Sequence, residues 1–164
     1  MASKTDFTPD EWKLLLESPM MTSMAVSAAD PSGLWGMLKE SFASGSALAK
    51  AVSDASANSL IKAVATEFTT SEGRKTARDD LKAKLSGSKP ADIKSKSIET
   101  LKQVSALVDA KAPADAVAFK GWLRQISENV ADAANEGGFM GFGGVKVSDA
   151  EKATLSDISR ALGG

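Results

Sequence analysis

Between Lys89 and Ala134 the chain carries the same pattern twice, and that pattern limits what it can fold into. In "KPADIKSKSIETLKQVSALVDAK" the stripe runs through Ile93, Ser97/Ile98, Leu101, Val104 and Leu107/Val108. In "APADAVAFKGWLRQISENVADAA" it runs through Phe119, Trp122/Leu123, Ile126, Val130 and Ala133. Both recur near the period that places side chains on one face of an α-helix. Two such helices bury their stripes only against each other and against further helices.

The rest of the chain supplies those helices. In "FTPDEWKLLLESP", Thr8 is an N-cap, Pro9 the first helical residue and Glu11 the partner in a capping box. Trp12, Leu15 and Leu16 then share a face. Pro19 and Pro31 each follow a capping residue, Ser18 and Asp30, so each is expected to begin a new helix. Beyond Pro31, Leu34, Trp35, Leu38, Phe42 and Leu48 keep helix-like intervals, and Asn58 caps "NSLIKAVATEF". Ser148 and Glu151 form another capping box ahead of Leu155, Ile158 and Leu162, and "LGG" is a C-terminal stop signal. Sustained alternation and Asn-Gly or Asp-Gly hairpin signals are missing. The expectation is all-α: one domain over residues 1–164, a bundle of roughly six to eight helices, with residues 1–7 as a flexible N-terminus. The many Ala and Ser positions either let helix axes approach closely or fill exposed helix surface.

Two absences restrict the chemistry. The 164 residues include no histidine and no cysteine. This removes disulfides, thiolate nucleophiles, Ser-His-Asp and Cys-His machinery and every His-containing metal site, and leaves only carboxylate sites for hard cations. The net charge of −1 selects neither a polyanion nor a polycation as partner. "MASKTDFTPDEW" lacks the apolar core of a signal peptide, and no apolar stretch reaches the length of a membrane span. The cytoplasm is the expected compartment.

The unusual local chemistry lies in "ANEGGFMGFGG", residues 134–144, where five glycines are interleaved with Phe139, Met140 and Phe142. A P-loop or Rossmann turn needs other spacings and a preceding strand, so a phosphate cradle is disfavoured. Two readings remain. Phe139, Met140 and Phe142 are apolar contacts for a protein partner or a membrane surface, or they fold home onto the bundle as anchors. "AADPSGLWGM" (Ala28 to Met37) aligns without gaps with "AANEGGFMGF" (Ala133 to Phe142), which an internal pseudo-two-fold repeat would explain.

The run from Ile126 to Gly163, a helix, a Gly/acidic break and "VSDAEKATLSDISRALGG", resembles the last helical pair of tellurite-resistance TerB-like domains. Those are small bacterial all-α proteins with a duplicated helical pair and metal-binding carboxylates near the break. The resemblance implies a divalent-cation site. Where the family would place Asp residues this chain has Gly137, Gly138 and Phe139, which leaves Asn135, Glu136, Asp149 and Glu151 as oxygen ligands.

From Arg74 to Lys102 nine basic residues face four acidic ones. The stretch has no aromatic residue for base stacking and only Arg74 and Arg78 for bidentate phosphate contacts, so nucleic acid is disfavoured and a solvated face complementing the chain's own acids or those of a neighbouring subunit is expected. No ExxH motif marks a di-metal bundle site. Asp30, Glu40, Glu67, Asp79, Asp80, Glu128 and Asp132 read as caps or solvent-facing groups, and Trp12, Trp35 and Trp122 as core or interface anchors. No residue is assigned a catalytic role and no cofactor is expected. The sequence points to a non-enzymatic protein acting through interaction with a partner or a second copy. A stress-related role is the expected setting, with TerB-like cation binding and membrane-surface binding as the alternatives.

Overall fold

The computed structural model describes residues 2–29, 46–54, 56–136 and 147–164. Among these there are seven α-helices and no strand, an all-α single-domain bundle. They are α1 (Pro9–Ala29), α2 (Ser46–Ser53), α3 (Ser59–Glu67), α4 (Ser71–Leu85), α5 (Pro90–Lys111), α6 (Pro113–Glu136) and α7 (Asp149–Ala161). The expected start at Pro31 and most of both copies of the expected repeat lie outside the described residues.

The caps form as their chemistry requires. Glu11 accepts from the Thr8 backbone N–H at 2.8 Å, while Thr8 Oγ1 accepts from the Glu11 N–H at 3.3 Å. Asn58 Oδ1 accepts from the Leu60 N–H at 3.0 Å. At the far end Gly163, at φ +78°, donates to the Arg160 carbonyl and Gly164 to that of Ser159, the paired bonds of a Schellman stop.

One expectation is corrected. Pro19 begins no helix, because α1 runs through it without interruption. A proline inside a helix leaves the carbonyl four residues back without its usual donor. Here that carbonyl belongs to Leu15, and Ser18 Oγ donates to it at 2.7 Å. Within residues 2–7, Ala2 and Phe7 are buried and residues 3–6 are exposed. Lys4–Asp6 form a 3-10 turn, Phe7 lies 6.1 Å from the Trp12 ring, and the Ala2 N–H reaches Asp115. That last contact is with a residue more than a hundred positions away, which local pattern does not reveal.

α1 is the centre of the bundle and touches α3, α4, α5, α6 and α7. Trp12, Leu15, Leu16, Met21, Ala25 and Val26 are buried on it, together with Ser18, Thr22, Ser23 and Ser27. Those hydroxyls donate to carbonyls of α1 itself, at 2.8 Å for Thr22 and Ser27 and 3.1 Å for Ser23. Satisfied that way, they are buried without needing partners on neighbouring helices and keep the helix slim enough for close approach. Around α1 the expected stripes close the core: Ile93, Leu101, Val104 and Val108 from α5, Phe119, Leu123 and Ile126 from α6, Ile158 and Leu162 from the C-terminal end.

Helix directions follow from pairs of contacts. α5 runs antiparallel to α1, with Lys111 bonded to Glu11 at one end and Ser97 against Met21 Sδ toward the other. α6 folds back on α5 through the single residue Ala112, bridged by Lys120 and Asp109 at 2.5 Å. α1 and α6 therefore run in the same direction. α7 returns alongside α6, where Arg124 Nη2 donates to the Leu162 carbonyl at 3.1 Å.

Candidate interaction end of the bundle

Because α1 and α6 are parallel, their C-terminal residues Ala29 and Glu136 stand at the same end of the bundle. The N-terminus of α5 is there too. Each of the two C-termini leads into one of the paired sequences, glycines beside bulky apolar residues. Phe139, Met140 and Phe142 themselves lie outside the described residues. Asn135 and Glu136 form the last backbone positions of α6.

Of the four oxygen ligands proposed from the resemblance, two have described side chains, and these diverge. Asp149 is fully solvent-facing beside Lys152, at 3.6 Å. Glu151 is buried and turned back into the α7 cap, accepting from the Ser148 N–H at 2.7 Å while its own N–H donates to Ser148 Oγ at 3.2 Å. Among the described residues no group of three or more Asp, Glu, His or Cys side chains is arranged to hold a metal ion, and none of the helices is long and apolar enough to cross a membrane.

The basic stretch is partly spent inside the molecule. Lys94 pairs with Asp157 at 2.9 Å and Lys84 with Glu17. Lys96 Nζ donates to the Lys84 carbonyl and Ser88, and Arg74 to the Phe68 and Thr69 carbonyls. The Lys94–Asp157 and Lys84–Glu17 pairs join α5 and α4 to acidic residues elsewhere in the chain, and the other contacts stay within the α3–α4 corner and the α4–α5 turn. Trp12 is buried and Trp122 half-buried against Phe119, both as anchors; Trp35 lies outside the described residues.

Sequence reasoning missed two buried carboxylates. Asp115 accepts from the Ala2 N–H and the Asn58 amide, each at 2.6 Å, and from Ser59 Oγ at 3.3 Å. Burial alone would raise its carboxyl, but those donors hold it below the usual carboxylate value. Glu17, 3% exposed, sits on α1 against Lys84. Burial pushes its carboxyl up, Lys84 pulls it down, nearby Asp80 adds to the upward push, and burial prevails. A signal for Glu17 was present: it is the only charge between Leu14 and Ala29. Asp115 had none, since a first-turn Asp after Pro113 looks like an ordinary helix start.

The chain matches no protein-family model, no curated protein and no solved structure.

Proposed function

We propose that this protein is a cytoplasmic, non-catalytic helical bundle that acts by binding another protein or a second copy of itself, with Phe139, Met140 and Phe142 as the contact residues. The supporting observation is the shared end of α1 and α6, from which two glycine-and-apolar sequences depart. A rigid bundle presenting bulky apolar side chains on glycine-bearing connections is suited to fill pockets on a partner. A lack of histidine and cysteine removes the commonest catalytic groups and leaves contact as the function this composition serves best.

The test is the Phe139→Ala/Phe142→Ala double variant. Crosslinking and sedimentation should show a complex, hetero- or homo-oligomeric, that the variant loses, while its unfolding free energy stays within about 0.5 kcal/mol of the parent. A fall of several kcal/mol with the complex intact would instead make the phenylalanines core anchors. Two side measurements separate the alternatives. Co-sedimentation with anionic vesicles that depends on the same residues selects a membrane surface. A rise in melting temperature with calcium or manganese, abolished by changing Asp149 and Glu151, selects the TerB-like reading.

A further inference from the structure

The helix held by the least apolar burial is α4. Eight of its fifteen residues are charged and only Gly73 and Ala77 are buried. With so little apolar area removed from water, its place depends on polar contacts: those at its N-terminal end go to the corner after α3, and Lys84–Glu17 reaches α1 at its C-terminal end. At the N-terminal end a Cβ on Gly73 would overlap the Glu67 carbonyl, and Arg74 Nη1 donates to the Phe68 and Thr69 carbonyls at 2.8 and 3.0 Å. At the C-terminal end Lys84 Nζ donates to Glu17 and lies 3.4 Å from Thr100 Oγ1, while Lys96 Nζ donates to the Lys84 carbonyl at 2.9 Å. Beyond Leu85 the chain turns at Gly87, φ +70°, where a Cβ would meet no atom of the described residues within 4 Å.

We propose that α4 is a strap, fixed at the Gly73 corner, whose C-terminal half lifts from α1 as a unit with the Glu17–Lys84 pair as its latch. A buried ion pair is a latch of a particular kind, because its charges recover their hydration when it opens and the open state lies close in free energy. An apolar contact gives no such return. Asp80 acts in the same direction, since its Oδ2 is buried with no hydrogen-bond partner among the described residues and its charge repels Glu17. Lifting the strap uncovers a lone carboxylate on an otherwise uncharged stretch of the central helix, in an opening confined to one side of the bundle. It is independent of the contact residues proposed above.

Native-state hydrogen exchange, read residue by residue, tests this. In the parent protein the amides of residues 81–85 are expected to exchange roughly a hundredfold faster than those in the middle of α1, α5 and α6, through openings insensitive to low urea. Lys84→Met leaves the Glu17 carboxylate buried without its partner, and should speed residues 81–85 about tenfold or more with α5 and α6 unchanged. Glu17→Gln leaves only the half-exposed Lys84 unpaired, and should speed them less. The idea is overturned if residues 81–85 exchange with the core in the parent, or if Lys84→Met lowers protection evenly across the bundle. Should Lys84→Met fail to fold, the Glu17→Gln/Lys84→Met double variant carries no unpaired buried charge. In it, a change in exchange confined to residues 81–85, in either direction, supports the strap, and no change or an even change across the bundle rejects it.

Discussion

Ser18 and Pro19 show how one side chain changes what its neighbour does. Read locally, a proline after a capping serine starts a helix. In the fold the serine hydroxyl turns inward instead and serves the Leu15 carbonyl that proline leaves open. Both arrangements use the same two residue types, and burial of most of α1 beyond Leu14 decides between them, which lies beyond local pattern. Ser18→Ala should therefore lower stability by about 1–3 kcal/mol by leaving a buried carbonyl without a donor. Pro19→Ala supplies a backbone N–H for that carbonyl, so Ser18→Ala should be nearly neutral in a Pro19→Ala background. A double-mutant cycle from urea unfolding measures this, and additive effects would show that the hydroxyl is not serving the proline gap.

At the scale of the helix, the legible features are those whose partners lie within one turn. The Thr8–Glu11 and Ser148–Glu151 boxes, the Asn58 cap and the Gly163 stop were readable because three or four residues contain the whole interaction. The α5 and α6 stripes were readable from periodicity. The α3–α4 corner was not, because its requirement comes from one helix end pressing on the next. Gly73 stands where a Cβ would overlap the Glu67 carbonyl and approach Thr70 Oγ1 to 2.9 Å. Alanine is the better helix former by about 1 kcal/mol, yet relieving that overlap should cost about 1–3 kcal/mol and break the Thr70 cap. Gly73→Ala should thus be net destabilising. Gly121→Ala, on the exposed face of α6 with none of the described residues near its Cβ, should be stabilising by up to about 1 kcal/mol. Urea midpoints of the two variants should move in opposite directions; movement the same way would remove the steric account of the corner.

The whole molecule is joined at Asp115. One carboxylate at the start of α6 receives the backbone of Ala2, the amide of Asn58 and the hydroxyl of Ser59, so it unites the N-terminal segment, the α3 cap and the α6 start. Candidate residues such as Asp149 and Glu151 were visible in the sequence because a resemblance pointed to them. Asp115 was invisible because its partners are 113, 57 and 56 positions away. Its carboxyl is held below the ordinary value of 3.8, so the folded state releases the proton more readily than the unfolded chain does. The stability it provides is therefore present above that value and is lost as pH falls through the lower folded-state value. Asp115→Asn keeps the shape but removes the charge and turns one acceptor into a donor facing other donors. A loss of about 1–3 kcal/mol at neutral pH is expected from buried hydrogen bonds of this kind. The gap between parent and variant should then close as the solution is acidified below about pH 4, because both carry a neutral group at position 115 once the parent is protonated. Chemical denaturation across pH 2–7 checks it. A gap that stays constant across that range would mean that the charge of Asp115 contributes nothing to the junction, and that its place there is held by shape alone.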